Sequence, residues 1–80
     1  MRVTAVFFAV YRELAGAEAL EVELVPGATV RQLVETLRAR PGGDKLPDSP
    51  AVAVNQEYAP LDTVLSEGDE VALIPPVAGG

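Results

Sequence analysis

Few groups in this sequence could do covalent chemistry, and what is missing narrows the choice first. The 80 residues contain no histidine and no cysteine. That removes the commonest general base, the commonest metal ligand and the thiolate nucleophile. Ser49 and Ser66 have no imidazole to activate them, so a Ser-His-Asp triad is excluded. Lys45 is the one lysine and sits in a polar stretch, whereas a Schiff-base lysine is usually desolvated. Glu18, Glu21 and Glu23 form one acidic run and Glu67, Asp69 and Glu70 another. Neither has the long alternating array of a calcium loop, so both read as solvated turns or strand faces. Paired carboxylates could act as acid and base only inside a cleft, and so short a chain has little material to enclose one. "PGG" at 41–43 lacks the lysine and hydroxyl of a phosphate loop and follows a helical pattern, so it reads as a stop signal.

What remains is the chain's end, "ALIPPVAGG" from Ala72 to Gly80. Pro75 and Pro76 have no N–H and fix φ, so they end a strand and favour an extended exit. Gly79 and Gly80 carry no Cβ, so another protein's backbone can approach closely. A terminal Gly-Gly arises by chance about once in two hundred sequences. The carboxylate of Gly80 is the functional handle: it can be activated as an acyl phosphate or adenylate and then attacked. Six residues from Pro75 reach at most about 20 Å.

A small core must hold that end in place. A chain of this length buries roughly 60–65% of its unfolded surface, enough for one domain, and 49% of its residues are hydrophobic. The division expected is a globular domain over 1–74 and a flexible tail over 75–80. The net charge is −6, with the basic residues scattered. That argues against nucleic-acid binding and for basic partners. No apolar run is long enough to span a membrane, and a cytoplasmic setting is expected.

The residues 2–10 read as a strand, with Val3, Ala5, Phe7 and Ala9 on one face and Phe8 on the other. "YRELAG" (11–16) reads as a helical turn ended by Gly16, and "ALEVELV" (19–25) alternates as a half-buried strand. Thr29 followed by Gln32 predicts a capping box, and Val30, Leu33, Val34 and Leu37 give one apolar helical stripe. Residues 51–55 predict a short buried strand, 55–57 a turn, Tyr58 the start of another strand, 61–65 a helical turn, and 70–74 the last strand. The economical fold is α+β, a mixed sheet packed on one main helix, with the terminal strands parallel and the first two antiparallel. In this arrangement Phe8 and Ile74 fall on the outer face near the tail's exit, where exposed apolar side chains make a partner-binding patch.

Four segments then carry a resemblance over essentially the whole chain: "VFFAVYRELAG" (6–16), "TVRQLVETL" (29–37), "AVAVNQEYA" (51–59) and "LSEGDEVALIPPVAGG" (65–80). The sequence resembles the MoaD family, the small sulfur-carrying subunits of molybdopterin synthase, which are ubiquitin-like β-grasp proteins. The resemblance implies that a ubiquitin-activating-like enzyme uses ATP to adenylate Gly80 and that a sulfur donor converts the adenylate to a thiocarboxylate. Pro75, Pro76, Val77, Ala78 and Gly79 would then enter a large catalytic subunit, within a heterotetramer. There the sulfur would pass to cyclic pyranopterin monophosphate, forming the dithiolene of molybdopterin. Phe8, Ile74 and Tyr58 match the family's docking surface, although the family often has an aromatic at the position of Ile74. No bound cofactor or metal is implied, and the chain alone should catalyse nothing. Related carriers for thiazole, cysteine or tRNA thiolation share the final "VAGG". A ubiquitin-like modifier joined to lysines, or a plain interaction domain with an accidental Gly-Gly, stays open beside them.

Overall fold

The computed structural model describes residues 1–76. In chain order the elements are β1 (Arg2–Phe7), α1 (Ala9–Ala15), β2 (Ala19–Glu23), α2 (Val30–Arg38), a 3-10 turn (Gly43–Lys45), β3 (Ala51–Val54), β4 (Glu57–Ala59) and β5 (Glu70–Ile74). The five strands form one sheet in the order β2-β1-β5-β3-β4. β1 pairs antiparallel with β2 and parallel with β5, while β3 pairs antiparallel with both β4 and β5. With the main helix on one face and the terminal strands side by side at the centre, this is the β-grasp arrangement that the family resemblance implies.

The core follows from parity. Val3, Ala5 and Phe7 of β1 meet Val71 and Leu73 of β5, Val52 of β3 and Val22 of β2, all buried. The stripe Val30, Leu33, Val34 and Leu37 of α2 closes over them, each at most 2% exposed. A fully buried Leu is worth about 1.5–3 kcal/mol in transfer free energy. Its truncation also leaves a cavity, so Leu33→Ala should lower unfolding free energy by about 2–5 kcal/mol in urea melts.

The capping box is present. Gln32 N–H donates to Thr29 Oγ1 at 3.3 Å, and Thr29 N–H donates to Gln32 Oε1 at 2.8 Å. Arg38 is half-buried and donates from Nε to the Leu46 carbonyl at 2.9 Å, tying the helix end to the following loop. Gly43 has a steric role there. A Cβ at this position would collide with the backbone carbonyl of Leu37, whereas Gly16, φ 73, has open space around it. Gly43→Ala should therefore cost more stability in thermal melts than Gly16→Ala, whose penalty is confined to the left-handed backbone.

Three expectations need correction. The first strand ends at Phe7, not Val10, because the chain turns into α1 at Ala9, whose φ is 49°. Ala9 is thus a helix residue with no place on the inner strand face. Residues 61–65 form a turn and one isolated bridge, Thr29 to Val64, instead of a helical turn; there Leu61 and Thr63 carbonyls accept the Arg31 and Val30 N–H groups at the start of α2. The β3–β4 turn is tighter than expected: Asn55 and Gln56 both have positive φ, 50° and 74°, and the strand resumes at Glu57. Two positive φ values in a two-residue loop match the twist of a hairpin.

At the far end of the sheet from Ile74 the Met1 ammonium donates to Glu23 Oε2 at 3.1 Å and to the Leu24 carbonyl at 2.8 Å. This hydrogen bond and the ammonium charge, assisted by Arg2, hold the Glu23 carboxyl below its ordinary value. A carboxyl depressed in the folded state gives stability that is present at neutral pH and is lost as pH falls through its folded value. Urea melts of Glu23→Gln should accordingly show a flatter stability profile than the parent between roughly pH 5 and 3.

Candidate functional site

β5 has neighbours on both sides along its length, β1 by parallel pairing and β3 by antiparallel pairing. Ile74, its last residue, lies opposite Ala51. Pro75 and Pro76 follow; the first is half-buried and the second exposed. Neither can donate to a ladder, so pairing stops here and the chain leaves the sheet. The tail is thereby rooted in a central strand whose position the core fixes.

A surface groove opens at this root. Tyr11, Pro50, Ala51, Tyr58, Ile74, Pro75 and Pro76 line it, together with Pro47 and Ser49. None of these side chains is charged near neutral pH. The site can bury apolar surface and offer two phenols and a hydroxyl as hydrogen-bond partners, but it holds no acid–base pair. Among the described residues, no group of three or more His, Cys, Asp or Glu is arranged to hold a metal ion. No helix among them is long and apolar enough to cross a membrane.

The groove continues onto the sheet's open face. Register sets Ala19, Val6, Ala72, Ala53 and Tyr58 in one row across all five strands. The middle of the row is small and apolar, with Ala53 and Ala72 each only 8% exposed, and Tyr58 stands above it at one end. Toward the other end the same face is charged, with Arg2 within 3.7 Å of Glu21 and 3.5 Å of Glu23. The face is graded, apolar beside the tail root and ionic away from it.

The residues expected to dock are placed as follows. Tyr58, 77% exposed, shares the groove with Ile74 and both prolines. Ile74 is half-buried, so part of its side chain serves the sheet. Phe8 does not line the groove. It follows Phe7, which lies opposite Leu73, and its ring is 43% exposed at the N-terminus of α1. Its exposure comes from the turn at Ala9, not from strand parity. Val77, Ala78, Gly79 and Gly80 lie outside the described residues. Sequence reasoning missed Tyr11, Pro50 and Ala51. Tyr11 was legible from the i, i+3, i+4 spacing of Tyr11, Leu14 and Ala15, once the segment is taken as a full helix instead of a turn.

The model of the ThiS family matches residues 5–80, through the last residue of the tail. The chain belongs to the ThiS family. A molybdopterin synthase sulfur carrier subunit from Mycobacterium tuberculosis is 42% identical to this ThiS-family chain, with all of this chain and 99% of that one covered. Among solved structures, a putative molybdopterin converting factor subunit 1 from Pyrococcus furiosus is 36% identical. It superposes with a TM-score of 0.84 over 96% of this chain and 99% of the other. The small archaeal modifier protein SAMP1 from Haloferax volcanii is 32% identical, with a TM-score of 0.86 over the full length of both chains. A chain in the protein–protein complex of subunits 1 and 2 of molybdopterin-converting factor from Helicobacter pylori is 27% identical. Its TM-score is 0.72, again over both full lengths.

Proposed function

We propose that this protein is the sulfur carrier subunit of a molybdopterin synthase. The observation that carries the reading is full-length likeness to sulfur carrier subunits, extending through Gly79-Gly80, in a chain whose tail is rooted beside an uncharged docking face.

The proposed chemistry places every catalytic group on partners. The Gly80 carboxylate attacks the α-phosphate of ATP on an adenylating enzyme and releases pyrophosphate. Sulfur delivered by the donor at the hydrosulfide level attacks the acyl carbon of this mixed anhydride, the C–O bond to the phosphate breaks and AMP leaves, so the chain ends in a thiocarboxylate. The large subunit then receives Pro75 to Gly80; the thiocarboxylate sulfur bonds to a carbon of cyclic pyranopterin monophosphate as a C–O bond there breaks, and water then cleaves the acyl C–S bond and returns the Gly80 carboxylate. A span of about 20 Å suffices to thread an active site from the docked sheet, and glycine's missing Cβ permits a narrow channel. The graded face suits this cycle. Its apolar end can dock successive partners beside the tail, and the absence of charge there avoids burying an unpaired ion. Purified large subunit, pterin precursor and thiocarboxylated chain should form dithiolene, and the carboxylate form of the chain should form none.

A second reading has one observation in its favour, the likeness to a small archaeal modifier protein. On that reading a lysine of a target attacks the adenylate and an isopeptide bond forms. Incubation with the adenylating enzyme, ATP and cell extract separates the two, since only the modifier gives isopeptide-linked adducts.

A further inference from the structure

The sheet has two outer edges, and they differ. β4 is three residues long and is followed by Pro60, so little backbone is open there. β2 is longer and its bonds to β1 fall on even-numbered residues and their neighbours in register. Leu24 N–H donates to the Met1 carbonyl at 2.8 Å, Phe7 N–H donates to the Glu18 carbonyl at 2.9 Å, and Val3–Val22 and Ala5–Leu20 are the pairs between. An antiparallel ladder alternates, so the N–H and C=O groups of Ala19, Glu21 and Glu23 point away from the sheet.

Beside the far end of this edge runs a cleft between β2 and α2. Leu24, Val25 and Ala28 form one wall, and Gln32, Glu35 and Thr36 the other. Val25 is 68% exposed. The ionisable side chains on the cleft, Glu23 and Glu35, are both acidic. Glu23 is also held by the Met1 ammonium at 3.1 Å, but Glu23 and Glu21 engage Arg2 only through exposed contacts of 3.5 and 3.7 Å. Such pairs contribute little and yield to a competing cation.

We propose that the β2 edge and this cleft accept an extended segment of a partner protein as a sixth strand, one that alternates apolar and basic residues. Backbone bonds to Ala19, Glu21 and Glu23 supply the pairing, and alternate side chains supply the choice. Apolar residues cover Val25 and the exposed part of Leu24, and basic residues meet the glutamates. A second copy of this chain fits poorly. Antiparallel self-pairing centred on Glu21 sets like charges directly opposite each other, which is destabilising. The cleft lies at the Arg2–Glu23 end of the sheet, while the tail leaves from the Phe7–Leu73 end. An occupied β2 edge therefore leaves the tail root and its groove uncovered, and the inference holds whichever acceptor the tail serves.

The test is an NMR titration of the isotopically labelled full chain with a capped peptide alternating valine and lysine. Amide shifts are expected along Ala19, Glu21 and Glu23 and at Gln32 and Thr36, with slowed exchange of the three outward N–H groups and no change at Phe8 or Tyr58. A peptide alternating valine and glutamate should bind at least roughly tenfold more weakly. Glu21→Pro removes an outward donor without removing a bond to β1, and should lose the binding. Glu35→Lys, on the exposed side of α2 and outside the ladder, should weaken it roughly fivefold or more while leaving the fold intact. The proposal is overturned if no shifts occur, if they centre on Phe8, Tyr58 and Ile74, or if the glutamate peptide binds equally well. Unchanged affinity of Glu35→Lys overturns it too, as does concentration-dependent pairing of β2 with itself.

Discussion

Removing Gly80, or adding one residue after it, should reduce sulfur transfer to background while leaving the melting temperature within about 1–2 °C of the parent. The two halves of this expectation have separate causes. In the proposed cycle the Gly80 acyl carbon must reach a fixed point in each partner, and a shift of one residue moves it by about 3.5 Å. A misplacement of even about 1 Å can cost roughly a hundredfold in rate, and here the reacting group is displaced outright. Stability has no such dependence, because the buried core runs from Val3 to Leu73 and the strand that roots the tail ends at Ile74. Loss of both activity and several degrees of melting temperature would mean that the end of the chain belongs to the fold.

The second large effect is expected at the docking face. Tyr58→Ala should weaken binding to the large subunit roughly tenfold to a hundredfold, with little change in unfolding free energy. Exposed aromatics at the centre of an interface carry a disproportionate share of its energy, and Tyr58 is 77% exposed, so the free chain loses few contacts with it. Phe8→Ala should behave in the same way with a smaller effect, since more of its ring is already covered. Ile74→Ala is a less clean probe. Its half-buried side chain serves both the sheet and the groove, so its truncation should lower affinity and stability together. Calorimetry on all three, set beside urea melts, checks this order. Unchanged affinity for Tyr58→Ala would remove the groove and open face from the interface, and unchanged affinity for Phe8→Ala would remove the start of α1.

Local signals made much of this architecture legible in advance. Thr29 and Gln32 announce their helix because a capping box is a contact between residues three apart. Val30, Leu33, Val34 and Leu37 announce its buried stripe because helical periodicity is fixed by backbone geometry. One helix covering one sheet face was legible from the pattern, whereas the parallel pairing of β1 with β5 is not fixed by side-chain pattern and is implied by the family resemblance. What was not legible depends on nonlocal or conformational detail. The turn at Ala9 has a positive φ in a residue with no special preference for it. Strand-like composition continues through Val10, so the sequence gives no warning that the strand stops at Phe7. Residues 61–65, with Asp, Thr and Val between two leucines, have no strong local preference, and their carbonyls are used by the first N–H groups of α2, a demand that only the tertiary arrangement makes.

The candidate site divides in the same way. Its proposed reactive end is written in the sequence as two prolines, two spacer residues and two glycines. Tyr58, Ile74 and the prolines are gathered into one groove by the antiparallel pairing of β3 with both β4 and β5, which side-chain pattern alone does not specify. Ala51, Ala53 and Ala72 were the weakest signal of all. Small side chains mark a docking face only when taller neighbours frame them, and the neighbours come from other strands.

The most direct test is the intact mass of the full chain after incubation with the adenylating enzyme, ATP and a sulfur donor, followed by fragmentation to locate the change. The account predicts a gain equal to exchanging one oxygen for sulfur, confined to Gly80 and discharged when large subunit and pterin precursor are added. An unchanged mass, or a chain recovered only as isopeptide-linked adducts, would contradict it.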